Sequence, residues 1–186
     1  EITPHQDVVV TISQRGYVKR IPMSTYKLQH RGGKGIRGMS TRDGDVLQDL
    51  LLSDTHDIIL FFTNRGRVYP LKTFQIPGDI SRITRGTPLV NLLPLNEGER
   101  VHALVSISDR RFHGIIVLGT RMGEIKALDL SLLVNIRKGG LNVMDLEKGD
   151  EQVSVKLATD DDDVIMVTAK GMAIRFPVDQ VRLRSR

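Results

Sequence analysis

Four stretches of the chain are copies of one another, and this repeat constrains the fold more than any other feature. They are DVVVTISQRGYVKRIP (7–22), DIILFFTNRGRVYPLK (57–72), GIIVLGTRMGEIKALD (114–129) and DVIMVTAKGMAIRFPV (163–178). Each is an apolar run, a short polar step, a glycine and a second run. The glycines are Gly16, Gly66, Gly123 and Gly171, spaced by 50, 57 and 48 residues. The runs Val8–Ile12, Ile58–Phe62, Ile115–Leu118 and Val164–Val167 are too short for helices and rich in β-branched, leucine or aromatic side chains,. A glycine after the polar step supplies the positive φ of a tight turn. Each copy is therefore expected to be a β-hairpin.

More of the repeat flanks the hairpins. Alternating segments precede three of them, at Val46–Leu52, Val101–Ile107 and Val153–Leu157. The leucines of Val46–Leu52 could pass for a helical turn, but its counterparts alternate, which predicts a strand. A glycine and apolar residues follow three hairpins, at Gly38-Met39, Gly86–Leu92 and Gly140–Leu146. About four strands per period of roughly 50 residues predict an all-β, propeller-like array of four-stranded blades. The whole chain, 1–186, reads as one repeat domain with about four blades. The fourth copy has a hairpin and little after it. An open edge strand is normally avoided, so the chain is expected to be a piece of a longer protein.

Charge follows the same period. The 29 residues from Gln14 to Arg42 hold eight basic and no acidic side chains, whereas the other 19 basic residues face 22 acidic ones. Later hairpins and their continuations are also basic, with Arg65, Arg67, Lys72, Arg82 and Arg85, then Arg121, Lys126, Arg137 and Lys138, then Lys170, Arg175, Arg182, Arg184 and Arg186. The links between copies are acidic, with five aspartates from Asp43 to Asp57 and eight acids from Asp145 to Asp163. In a radial array, a feature repeated once per blade recurs around the ring. A curved basic belt suits a bent polyanion, and duplex DNA is the obvious one.

Other chemistries are poorly served. With no cysteine there is no disulfide, thiolate nucleophile or Cys-bearing metal site,. That also fits a reducing compartment. His5, His30, His56, His102 and His113 show no metal-ligand spacing and are expected at turns or on the surface,. The run Asp160–Asp163 lacks the pattern of a calcium loop,. Five Phe, three Tyr and no Trp are too few for a stacking platform,. No apolar run approaches a membrane span, and no signal peptide shows at the N-terminus. Arg31-Gly32-Gly33-Lys34-Gly35 fails as a P-loop because Gly35, not Ser or Thr, follows Lys34,.

Gln29-His30-Arg31-Gly32-Gly33-Lys34-Gly35 nevertheless resembles a known motif, the box found in the A subunit of DNA gyrase, usually Q-R-R-G-G-[RK]-G. GYVKRIPMSTYKLQ before it, GIRGM after it, and FFTNRGRVYPLK and RGTPLVNLLPLNEGE further on strengthen the resemblance. The chain is similar to the first two-thirds or so of the C-terminal domain of gyrase A. His30 departs from the usual arginine. The resemblance implies a β-pinwheel, a propeller relative with strands exchanged between blades, with about four of an expected six blades here. It implies duplex DNA wrapped chirally on a basic perimeter, so that a type II topoisomerase introduces negative supercoils. It further implies a box loop at Gln29–Gly35 and backbone contacts from Arg15, Lys19, Arg20, Lys27, Arg37, Arg42, Arg65, Arg67, Lys72, Arg121, Lys126, Lys170 and Arg175. The expected partners are the rest of gyrase A, together with gyrase B, in an A2B2 enzyme, with ATP and Mg²⁺ used elsewhere and neither cofactor nor metal in this chain. The expected location is the bacterial cytoplasm, at the nucleoid. The strand-cleaving tyrosine belongs to another domain, so Tyr17, Tyr26 and Tyr69 have no such role. Three rival readings are the related domain of topoisomerase IV, which lacks an intact box, a protein-interaction propeller, and an enzyme built into the repeats, against which the missing catalytic constellation counts.

Overall fold

A computed structural model of the chain describes residues 3–26, 44–80, 84–108 and 113–183. All four expected hairpins are present: β1 (Asp7–Ser13) with β2 (Tyr17–Pro22), β4 (Ile58–Thr63) with β5 (Arg67–Lys72), β8 (Ile115–Thr120) with β9 (Ile125–Asp129), and β12 (Asp163–Val167) with β13 (Ala173–Pro177). The alternating segments are β3 (Leu47–Asp54), β7 (Val101–Ile107) and β11 (Gln152–Ala158). Two further strands are only two residues long, β6 (Thr87–Pro88) and β10 (Leu141–Asn142).

One turn chemistry serves all four hairpins. The N–H of each turn glycine donates to the carbonyl three residues back, on Ser13, Thr63, Thr120 and Thr168, at 2.9–3.1 Å. The hydroxyls of those four residues accept a second N–H within the turn, from Tyr17, Arg65, Glu124 and Met172 respectively, at 3.1–3.3 Å. A Ser or Thr opening the turn and a glycine closing it at positive φ is what a three-residue hairpin loop requires,.

The sheets are not built from consecutive strands. Their orders are β3-β1-β2-β6, β10-β5-β4-β7, β11-β8-β9 and β12-β13. The strand before each hairpin joins the sheet of the hairpin before it. The short strands are exchanged in the same sense, since β6 follows the second hairpin yet pairs with β2, and β10 follows the third yet pairs with β5. Four-stranded blades are thus realised in the first two sheets. Among the described residues the third has three strands and the fourth two.

β4 and β8 do not show the half-buried alternation of an open sheet, because each inner sheet is packed on both faces. In β4, Ile59 and Phe61 enter the core shared with Val8, Val10 and Ile12 of the first sheet. Leu60 and Phe62 enter the opposite core, with Ile116 and Leu118 of the third. In β8, Ile115 and Val117 turn the other way, towards Val178 and Val181 near the fourth hairpin. The fold is a row of sheets with a core in each gap. His102 corrects the expectation for the histidines. It lies on β7, partly buried, and its Nε2 accepts a hydrogen bond from Gln152 Nε2 on β11 at 3.1 Å. Burial lowers its pKa to about 4, against an opposing effect of Asp49,.

Candidate nucleic-acid interface

The hairpin tips repeat one electrostatic feature. Arg15, Arg65, Arg121 and Lys170 stand one or two residues before the turn glycines, and all four are exposed. Three of the tips are anchored from below by acids in the segments between the hairpins. Each of Gly44, Gly98 and Gly149 is followed by a buried carboxylate, on Asp45, Glu99 and Asp150. Asp45 Oδ1 accepts the N–H groups of Arg15 at 3.1 Å and Val46 at 2.9 Å. Asp150 Oδ1 accepts those of Met122 at 3.0 Å and Glu151 at 2.8 Å. Glu99 accepts the hydroxyls of Thr63 at 2.8 Å and Tyr69 at 3.0 Å, and the Asn96 N–H at 2.9 Å. Burial alone would raise these three carboxyls. The hydrogen bonds outweigh it and hold all three below their ordinary values,. Their sequence signal, Gly–Asp/Glu at intervals of 54 and 51 residues, is visible in hindsight.

The other expected contacts divide by surroundings. Arg67 Nη2 donates to the Gly139 carbonyl at 2.9 Å and its Nε to Tyr69 Oη at 3.1 Å, so the exchanged segment holds it. Arg121 Nη2 donates to the Gly149 carbonyl at 2.6 Å, and its Nη1 lies 3.8 Å from Glu151. Arg20 Nε donates to the Ile76 carbonyl at 2.8 Å. Lys72 Nζ reaches the His56 carbonyl at 3.3 Å. Lys126 is partly buried beside Glu124 and Asp145, and exposed Arg175 pairs with Asp163 on the neighbouring strand. Arg85, outside the expected contacts, stacks over the Tyr17 ring at 4.6 Å.

Lys19 departs from the expected surface contact. Its side chain is buried at 1% exposure, and its ammonium donates to the Thr84 carbonyl at 2.7 Å. Burial lowers its pKa, while Asp79 opposes the shift. Lys19 is the third residue after its turn glycine, as Tyr69 is in the next copy, and both point into the gap where an exchanged segment crosses. Lys27, the box Gln29–Gly35, Arg37 and Arg42 lie outside the described residues. Among the described residues, no three His, Asp or Glu side chains are grouped to hold a metal, and no helix is long and apolar enough to cross a membrane.

A family model described as the DNA gyrase C-terminal domain, beta-propeller, matches residues 7–54, 57–108, 116–159 and 162–186, one segment per repeat. The A subunit of DNA gyrase from Clostridium acetobutylicum is 43% identical over 182 residues, covering 98% of this chain and 22% of that protein. Its counterpart from Dehalogenimonas lykanthroporepellens is 38% identical over 186 residues, covering all of this chain and 23% of that protein. The chain thus spans under a quarter of the length of these relatives. A solved DNA gyrase A C-terminal domain superposes with a TM-score of 0.74 at 27% identity, covering 97% of this chain and 58% of that one. A C-terminal domain of DNA topoisomerase IV superposes at 0.78 and 27% identity, covering 98% and 55%.

Proposed function

The chain belongs to the family of DNA gyrase A C-terminal domains, and from that premise we propose that it binds duplex DNA without reading its sequence and wraps it with a fixed hand. The observation that carries this reading is the exposed cation at each hairpin tip, repeated once per blade on a hydrogen-bonded turn. Fixed cations spaced along a curved array neutralise successive phosphates and release counterions. Bending the duplex costs several kcal/mol, offset by contacts added blade by blade.

In this reading the chain has no catalytic role of its own. It serves an ATP-using type II topoisomerase of the bacterial cytoplasm, alongside the rest of gyrase A and its gyrase B partner. The box residues Gln29, His30, Arg31, Gly32, Gly33, Lys34 and Gly35 set the hand of the wrap. The glycines Gly32, Gly33 and Gly35 favour gyrase over topoisomerase IV, a choice that fold likeness leaves open.

The test is relaxation of closed circular DNA by a nicking-closing enzyme in the presence of the chain. Retained writhe of one sign supports wrapping, and none overturns it. Arg31→Ala with Lys34→Ala should lower that writhe while leaving most of the affinity. If ~6–10 phosphates are neutralised, log K falls against log salt with a slope of roughly −5 to −9. A flat response points instead to a protein-interaction propeller.

A further inference from the structure

The second sheet has a gap that its neighbours fill. In the first sheet, Gly78 makes a parallel bridge to Arg20 of β2, and in the third, Leu183 makes one to Ala127 of β9. Gly78 and Leu183 each lie twelve residues after a turn glycine, and Arg20 and Ala127 four residues after one. The matching pair in the second sheet is Pro70 and Asn135, and no bridge joins them. Proline has no N–H to offer a ladder. The 3-10 turn before Asn135 is also four residues long (Leu130–Leu133), where the turns directly after the other three hairpins have three. The crossing segment therefore stands off from β5, and an open groove of about 740 Å³ lies there.

The groove is lined by Pro70, Leu71, Val90 and Ile136, with Lys72 and Lys138 also in its lining and no acidic residue. Val90 is 68% exposed, so apolar surface faces water there. The lining has no aromatic ring on which a base could stack,. We propose that this groove binds an extended peptide segment carrying alternating apolar and acidic side chains. The apolar ones lie against Leu71, Val90 and Ile136, and the carboxylates reach Lys72 and Lys138. The volume suits a small ligand or a short segment. An open trough flanked by chain on both sides, apolar along its floor and cationic at Lys72 and Lys138, fits the segment through its side chains rather than through a strand ladder.

The experiment is fluorescence anisotropy of a labelled nonapeptide alternating leucine and glutamate, titrated with the full chain. A peptide alternating leucine and lysine serves as the control. Saturable binding of the glutamate peptide alone is expected. It should weaken at least tenfold in K72Q/K138Q and in Val90→Trp, whose ring covers the groove from an exposed position. Lys138→Glu should bring in the lysine peptide. Thermal unfolding of each variant checks that the fold is kept. Equal binding of both peptides, indifference to Val90→Trp in a folded variant, or no saturation at all would each overturn the assignment. So would a single-stranded oligonucleotide whose binding is blocked by Val90→Trp when the peptide's is not.

Discussion

Asp45 Oδ1 accepts the backbone N–H of Arg15 at 3.1 Å, so a buried carboxylate fixes the turn that carries an exposed cation. Glu99 does the same work one blade on through side chains, joining Thr63 of the hairpin turn, Tyr69 of β5 and the Asn96 amide. Removing Glu99 takes the acceptor from four donors at once, the Asn96 side-chain amide included, and two of them, the Thr63 and Tyr69 hydroxyls, are buried. Glu99→Ala is expected to lower the unfolding free energy by about 2–4 kcal/mol, the range for buried donors that lose a charged acceptor. Glu99→Gln, which keeps one acceptor oxygen, should recover part of that. Urea denaturation of the two variants decides. Equal stability of Glu99→Ala and the parent would mean that the network is incidental.

Acid should weaken the fold in two separable steps. His102 has a pKa of about 4 in the fold against an ordinary 6.5. Below 6.5 the unfolded chain takes up a proton that the folded chain does not. The stability this group contributes is complete above pH 6.5 and declines as pH falls towards 4, by roughly 3 kcal/mol in all. Asp45, Glu99 and Asp150 have depressed values, so their contribution is lost only lower, as pH falls below the ordinary carboxylate range. Denaturation midpoints at pH 7 and pH 4.5 therefore isolate the histidine. His102→Gln should show a clearly smaller drop between the two. An unchanged drop would mean that His102 is not the group responsible.

The exchanged strands depend on two glycines. A Cβ on Gly140 would stand 2.6 Å from the Tyr69 ring and 3.0 Å from the Val68 carbonyl, at a φ of +80°. A Cβ on Gly86 would stand 2.4 Å from the Val18 carbonyl. Gly139, next door, meets nothing within 4 Å. Gly140→Ala is expected to cost about 2 kcal/mol or more, since it combines a clash with a left-handed backbone. Gly139→Ala should be nearly neutral. Thermal melts of the pair test whether close approach of β10 to β5 holds the second blade together.

The hairpins, the strands between them and the all-β array were legible because each carries its own local signal: an apolar run, a turn glycine, a period of two. Strand exchange was not legible from periodicity. Thr87–Pro88 and Leu141–Asn142 are too short to show any. It entered only through the family resemblance. Lys19 was misplaced because residue type was read without its register. Alignment on the turn glycines sets it against Tyr69, an inward position, whereas Arg15, Arg65 and Lys170 align at the tip. The Gly–Asp/Glu anchors escaped because net charge does not distinguish a buried carboxylate from a solvated one. His102 was misjudged for a related reason, since a strand packed on both faces has no polar side on which to leave an imidazole.

The fourth hairpin should be the first part of the row to open. In the first three sheets the first hairpin strand is paired on both sides, β1 by β3, β4 by β7 and β8 by β11. Among the described residues β12 pairs only with β13. Ile165, Val167 and Ile174 are 64%, 68% and 60% exposed, whereas Ile59, Leu60, Phe61 and Phe62 in β4 are wholly buried. A row of blades has a stability set by each unit and its neighbours, and the unit with one neighbour and a free edge opens first. Amides of Val164–Val178 are therefore expected to exchange faster than those of Ile58–Lys72 in native-state hydrogen exchange. Equal protection would mean that another strand caps β12, from a second copy or another chain. If the cap is another strand, dilution tells its source: protection that falls with concentration identifies a second copy or another chain, whereas protection that persists identifies closure within one molecule.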